Sequence, residues 1–253
     1  MKTLLVQQDI LWGDPEANVK KLSAILKDAP EVDLVVLPEM FTTGFTTAPG
    51  EIVEEEFPVG LSWMREFARN HDCAVAGSIA SREDGRFYNR LYFVTPGWED
   101  HYDKRHLFTY GGENRTFTRG YNRKVVAWRG VRFLLTVCYD LRFPVWNRNR
   151  SDYDAIICCA NWPGIRQLAW KTLTHARAIE NQCYFLAVNR CGTDPYCEYS
   201  GHTALINPYG EDVAACPPGE ESYVAGEIDM DLLRSYCSKF PVLEDEDFFT
   251  VQI

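Results

Sequence analysis

Leu134-Leu135-Thr136-Val137-Cys138-Tyr139-Asp140-Leu141-Arg142-Phe143-Pro144 changes character in the middle. An apolar, β-branched run ends in a cysteine, and Tyr-Asp-x-Arg follows at once. The run reads as a buried strand with Cys138 where the strand stops. In open α/β sheets, ligands bind beyond the carboxyl ends of strands. A helix starting near Arg142 would aim the amides of Tyr139 and Asp140 at whatever Cys138 attacks.

Two further strand ends finish in charge. Val35-Val36-Leu37-Pro38 runs into Glu39, and another segment ends in Tyr102-Asp103-Lys104-Arg105-His106. A carboxylate after a buried strand is costly unless paired, and a paired, buried carboxylate suits general-base work. A lysine at the base of a pocket would hold an oxyanion and favour a thiolate. His106 and Lys104 are equally good partners for a nucleophilic cysteine, because no sequence feature places either beside Cys138. Read singly, these residues are as easily a buried thiol, a solvated loop glutamate and a solvated charge cluster. A thiol, a carboxylate and an ammonium at three strand ends together favour a catalytic site.

The 253 residues can bury a sizeable core, and no Ser/Gly/Pro-rich linker or tandem repeat divides them, so a single domain over 1–253 is expected. No run reaches transmembrane length and the N-terminus lacks the apolar stretch of a signal peptide. The expectation is a cytoplasmic protein, away from membranes, whose nine cysteines are reduced thiols. A formal charge of −10 argues against a nucleic-acid partner. It leaves room for an anionic small substrate, since one arginine can bind a carboxylate. A phosphate loop, a Rossmann fingerprint, Cys-x-x-Cys and His-x-x-x-His are all absent, so no cofactor or metal is expected.

Along the chain, 2–8 reads as a strand, and Asp14-Pro15 caps a helix with Val19, Leu22, Ile25 and Leu26 on one face. A strand over 33–37, a loop over 40–45 and a helix over 58–71 follow. Strands over 73–81 and 87–95 flank the turn Glu83-Asp84-Gly85-Arg86, with a short strand near 99–102. Residues 105–122 form a long irregular loop, the kind that rims a pocket. A hairpin over 124–137 leads into Cys138, and a strand over 154–159 ends at Asn161-Trp162-Pro163-Gly164. A helix over 167–182 would pack through Leu168, Leu173, Ala176 and Ile179, with His175 a partnered structural histidine. Strands over 183–189, 202–206 and 222–228, a helix over 229–236 and an arm over 241–253 complete the chain. This alternation is too irregular for a barrel and suits an α/β fold of two mixed sheets face to face with helices outside both.

The blocks Pro38-Glu39, Tyr102 to Leu107 and Cys138 to Pro144 resemble the nitrilase superfamily of carbon–nitrogen hydrolases. So do 176–181, 188–192 and 201–203, so that the resemblance spans essentially the whole chain. The stretch Cys138 to Trp146 with Asn161-Trp162-Pro163 looks most like the ω-amidase branch, which hydrolyses the terminal amide of 2-oxoglutaramate and 2-oxosuccinamate. The resemblance implies a four-layer αββα sandwich, pairing with a second subunit, and no cofactor. It implies Glu39 as general base, Lys104 as oxyanion-stabilising lysine and Cys138 as the nucleophile that forms a thioester. Glu113 matches the second pocket glutamate. A nitrilase or an N-carbamoyl hydrolase would keep the same triad; a non-catalytic scaffold would have no need of it.

The substrate side follows from placement. The Tyr139 amide would join Lys104 in holding the oxyanion. Arg166, where a loop meets the next helix, has the planar fork for bidentate carboxylate recognition, with Arg142 and Arg190 as alternatives. Trp162 and Phe41 or Phe45 would wall a short acyl chain. The apolar end Phe248-Phe249-Thr250-Val251-Gln252-Ile253 is costly to leave in water, so the arm over 241–253 is expected across a partner subunit in a homodimer. The helices near Arg142 and Gln167 would form part of that interface.

Overall fold

The computed structural model describes residues 1–48, 50 and 59–251. Pro58 in the expected second helix and Gln252-Ile253 in the expected arm lie outside the described residues.

The first half contributes β1 (Lys2–Gln7), α1 (Pro15–Ile25), β2 (Leu34–Val36), α2 (Val59–His71), β3 (Ala74–Glu83), β4 (Arg86–Val94) and β5 (Glu99–Asp103). The second half opens with β6 (Val125–Trp128), β7 (Val131–Val137), α3 (Pro144–Asn147), β8 (Ala155–Ala160), α4 (Gln167–Glu180) and β9 (Tyr184–Asn189). It closes with β10 (Cys191–Thr193), β11 (Glu198–Ser200), β12 (Ala204–Ile206), β13 (Asp212–Ala215), β14 (Ser222–Glu227) and α5 (Met230–Lys239).

Two six-stranded sheets result, ordered β14-β1-β2-β3-β4-β5 and β13-β12-β9-β8-β7-β6, with β10 and β11 as a separate hairpin. In the first, β1, β2 and β3 run parallel; in the second, β7, β8 and β9 do. Antiparallel strands extend both sides of each parallel trio. Where they pair, the trios are buried and mostly apolar because both faces are covered, as parallel strands require.

Side chains alternate along each strand, and that alternation builds the layers. Leu5, Val36, Leu135 and Ile157 turn inward and fill the space between the two sheets with Phe93, Phe133 and Leu186. Leu4, Val6, Val35 and Val75 turn outward under Leu22 of α1 and Leu61 and Met64 of α2. Leu134, Ile156, Cys158 and Phe185 turn outward under Trp170 and Ala178 of α4. Each such side chain contributes about 1.5–3 kcal/mol on burial, and the outcome is the expected αββα sandwich.

Several elements depart from the sequence reading. The helix after Cys138 begins at Cys138 itself as a 3-10 turn over Cys138–Arg142, followed by the single-turn α3. The strand expected over 202–206 is present as β12, whereas β10, β11 and β13, only three or four residues long, are not in the sequence reading. The packing face of α4 is also different. Trp170, Thr174, Arg177 and Ala178 are buried, whereas Leu168 is 78% and Ile179 49% exposed. Trp170 and Arg177 claim the inner face by donating to carbonyls there: the indole to His202 O and the guanidinium to Leu141 O. His175 lies on the outer side of the helix, its ring meeting Lys171 O and Asp212.

Candidate active site

Three strands of two sheets end at one edge of the sandwich. β2 and β3 are parallel, and β5 regains their direction through two antiparallel steps, so the chain leaves β2 and β5 on the same side. Glu39 follows β2, Lys104 follows β5 directly, and Cys138 follows β7. All three reach a cavity of about 380 Å3.

Glu39, Lys104 and Glu113 are completely buried. Lys104 Nζ lies 2.8 Å from Glu39 Oε1 and 3.0 and 3.1 Å from the two oxygens of Glu113. Glu113 sits in a 3-10 turn of the long loop after Lys104, entered through Gly112 at φ +82°. Its Oε2 accepts the Phe108 amide at 2.6 Å, which fixes the loop around it.

This arrangement sets the protonation states. Burial works to lower the Lys104 pKa, but the charges of Glu113 and Glu39 outweigh it and hold the ammonium above its ordinary range. Burial raises the Glu113 carboxyl, with Lys104 opposing and Glu39 adding to the rise. Burial pushes the Cys138 thiol well up; Glu39 adds to that through its charge and a hydrogen bond, and Lys104 pulls the other way. The direction of this shift favours a thiol over a thiolate paired with the Lys104 ammonium.

Cys138 adopts φ +47°, the left-handed region that side chains with a Cβ rarely occupy. Such a conformation costs about 1–3 kcal/mol and persists only where neighbours enforce it. Asp140 is one such neighbour: its Oδ2 accepts the Val137 amide at 3.0 Å and the Tyr102 hydroxyl at 2.8 Å. The turn leaves the first amides of the 3-10 segment, Tyr139 among them, beside the thiol.

Phe45, Trp162, Arg166 and Tyr139 line the cavity. Phe45 places its ring 5.4 Å from Lys104 Nζ. Arg166 stacks on Phe108 at 5.4 Å, and its backbone oxygen accepts the Trp162 indole N–H at 2.9 Å. Arg142 also lines the cavity, over the Trp162 ring at 4.8 Å. Among the described residues neither guanidinium has an ion-pair partner. Phe41 does not reach the cavity: its ring is fully buried in the α2 layer between Leu37, Leu61 and Met64. Arg190 is not an anchor either. It is buried away from the cavity lining, its Nε and Nη2 donate to the Cys191, Ile10 and Thr193 carbonyls and to Asp9, and it stacks on Tyr199. His106 bonds to Asp140.

Sequence reasoning missed three contributors. Asn89 Nδ2 bridges Glu39 Oε1 and Glu113 Oε1 at 2.7 and 3.0 Å, and its oxygen is held by Ser78. The available signal was weak, an asparagine beside Arg90 in a strand that is otherwise largely aromatic and apolar. Asn161 donates its backbone N–H to Glu39 Oε2 at 2.8 Å. The β10–β11 hairpin supplies Asp194, Tyr196, Cys197 and Tyr199 to the far wall, from a stretch too short to read as paired strands. No three His, Cys, Asp or Glu side chains converge as a metal site among the described residues. No helix among them is long and apolar enough to cross a membrane.

Comparison with known proteins agrees with this geometry. The carbon–nitrogen hydrolase family model matches residues 3–237. The chain is 41% identical over 251 residues to the omega-amidase YafV of Yersinia enterocolitica, covering 98% of each. It is 35% identical over 247 residues to a 2-oxoglutaramate amidase of Bacillus subtilis (strain 168), covering 95% of each. Among solved structures, XC1258 of Xanthomonas campestris, a CN-hydrolase superfamily protein with an arsenic adduct in its active site, superposes with a TM-score of 0.96. That match has 38% identity and covers 100% of this chain and 99% of the other. With a half-buried thiol, a buried lysine and a buried glutamate at three strand ends, a second buried glutamate beside them, and this breadth of similarity, the chain belongs to the carbon–nitrogen hydrolase family.

Proposed function

We propose that the enzyme is an ω-amidase: it hydrolyses the terminal amide of short 2-oxo dicarboxylic acid monoamides such as 2-oxoglutaramate and 2-oxosuccinamate. The carrying observation is a cavity with a partly buried thiol beside a fully buried carboxylate and ammonium at its base, and on its wall two guanidinium groups, Arg142 and Arg166, that have no ion-pair partner among the described residues. The cluster suits amide cleavage, and the free cations suit a substrate that carries a carboxylate away from its scissile bond.

Glu39 takes the Cys138 thiol proton as sulfur attacks the amide carbon. The carbonyl π pair moves to oxygen, where Lys104 and the Tyr139 amide hold it. The oxyanion collapses, the C–N bond breaks, and the proton on Glu39 passes to nitrogen, so that ammonia leaves a thioester. Water then attacks with Glu39 as base, and the thiol is regenerated with the 2-oxo acid. Glu113, kept near Lys104 by two hydrogen bonds, orients the ammonium. Phe45 and Trp162 wall the short chain between the two ends.

The single domain works as a homodimer. Val145, Ile165, Leu168 and Ile179 are exposed apolar side chains on and beside α3 and α4, with Ile165 at 91%. The arm approaches the same region through Glu246, 3.8 Å from Arg148, which also donates to Glu180 O at the end of α4. Phe248 is fully exposed on that arm. A second copy would cover these groups.

Ammonia release from a panel of 2-oxoglutaramate, a short nitrile and an N-carbamoyl amine tests the reading. The ω-amide should be preferred by at least about tenfold, roughly 1.4 kcal/mol in the barrier. Preference for the nitrile or the carbamoyl compound would replace this reading with one of those activities.

A further inference from the structure

Asn161 leaves the carboxyl end of β8 and straddles Glu39. Its backbone N–H donates to Glu39 Oε2 at 2.8 Å, and its side-chain Nδ2 donates to the Glu39 backbone oxygen at 2.7 Å. A backbone oxygen only accepts, so the second bond fixes which end of the amide is nitrogen. The other end, Oδ1, is therefore an acceptor held in place, and among the described residues it has no hydrogen-bond partner. Asn161 is 5% exposed, and it lines the cavity together with Glu39, Lys104 and Cys138. A buried carbonyl oxygen without a donor is disfavoured, and on a residue that lines a cavity it is an acceptor available to a ligand donor.

The scissile amide offers one. When Cys138 meets the carbonyl carbon and Lys104 meets the oxygen, two groups remain on that carbon: the acyl chain, which runs toward Phe45 and Trp162, and the NH2. Its two N–H bonds are donors, and its side of the cavity is that of Glu39. Glu39 must deliver a proton to the nitrogen lone pair as the C–N bond breaks, so the N–H bonds themselves must find another acceptor.

We infer that Asn161 Oδ1 accepts an N–H of the scissile amide, turning the nitrogen lone pair toward protonated Glu39 and selecting leaving groups that carry hydrogen on nitrogen. Asn161 is in this sense a catalytic residue: it touches the departing nitrogen. An ester oxygen has no hydrogen to offer it. The inference rests on the amidase reading above and adds a leaving-group specificity to it.

Asn161→Ala and Asn161→Ser, assayed with amide and methyl ester of the same acyl group, test it. The serine hydroxyl can replace the bond to the Glu39 backbone but is too short to present an acceptor in the same place. Two pairs are used: 2-oxoglutaramate with its ω-methyl ester, and butyramide with methyl butyrate. In both variants the ratio of kcat/KM for amide over ester should fall on the order of 10–100-fold, the scale expected for one lost hydrogen-bond partner. Displacement of Glu39 alone would slow both substrates alike, since both need its proton. A parallel loss on amide and ester, or no loss on either, would overturn the inference. Wild-type protein that cleaves butyramide but not 2-oxoglutaramate would end the substrate reading, and the butyramide pair would still decide Asn161. No amide turnover at all by the wild type would overturn both.

Discussion

Asp140 Oδ1 accepts both the backbone N–H and the ring Nδ1 of His106, at 2.9 and 2.8 Å. The acceptor is a carboxylate, so Nδ1 carries the proton. With Val137 and Tyr102 on its other oxygen, one buried side chain ties the loop after Lys104 to the turn that holds Cys138. Asp140→Ala should lower folding stability by roughly 2–6 kcal/mol, because the Tyr102 hydroxyl and the Val137 amide lose their acceptor. Urea denaturation measures the loss; a change under about 0.5 kcal/mol would show that this carboxylate is dispensable.

The Cys138 thiol, raised above its ordinary value of 9.0, should stay protonated at neutral pH. The ultraviolet difference between wild type and Cys138→Ala should therefore show no thiolate band at neutral pH and no step before pH 9.0. A step near neutrality would mean a resting ion pair. Turnover by Cys138→Ala at wild-type rates would remove the covalent route altogether.

Lys104→Met leaves two buried carboxylates without a countercharge and should cost roughly 3–5 kcal/mol at neutral pH. The sign of its pH dependence follows from Glu113. Burial raises that carboxyl above 4.5 although Lys104 opposes the rise, so removing Lys104 raises it further. A raised folded pKa favours the fold below the unfolded value and loses that contribution as pH increases through the folded value. The deficit against wild type should thus shrink toward pH 4.5 and be fully developed well above it. Urea midpoints across that range measure it, and a constant deficit would contradict the assignment.

Arg166→Met should lower kcat/KM for 2-oxoglutaramate by roughly 10²-fold, the worth of a charge-assisted pair at about 2–3 kcal/mol. Butyramide hydrolysis should barely change. Equal losses on both substrates would make Arg166 structural, and no loss on either would leave Arg142, the other cavity guanidinium without an ion-pair partner among the described residues, as the anchor.

Leu168→Glu places a charge where 78% of the side chain stands open in the isolated chain. Light scattering at micromolar concentration should report a dimer for wild type and a monomer for this variant, with the monomer's fold intact by circular dichroism. A monomeric wild type would refute the assembly.

The sequence made strands and their catalytic ends legible for a simple reason. Largely apolar runs such as Val131–Val137 and Ala155–Ala160 read as buried strands, and charge where such a run ends, as at Glu39, is expensive without a purpose. Asn89 and Asn161 stayed hidden because an asparagine announces no chemistry until its partners are known. Phe41 and Phe45 were indistinguishable by type and nearly adjacent, yet the chain turns at Met40 and Gly44, both at positive φ, and sends one ring into the core and the other into the cavity. Leu168 and Ile179 looked like core by helical spacing. They are spaced to share a face, but hydropathy cannot say which of two apolar faces meets the sheet, and the buried Arg177 concealed the answer.

The pairing of β1 with β14 sets a schedule for the newborn chain. Lys2 lies opposite Glu227, and the Met1 amino group donates to Ile228 O at 2.8 Å. During synthesis from the N-terminus, β1 is made well before β14 and thus waits for it. Until then its outer edge carries unpaired backbone groups, the surface by which unfinished chains stick to one another. A ribosome that stalls before residue 222 would release a chain with thiol, lysine and both glutamates already made, but with one sheet still unsealed.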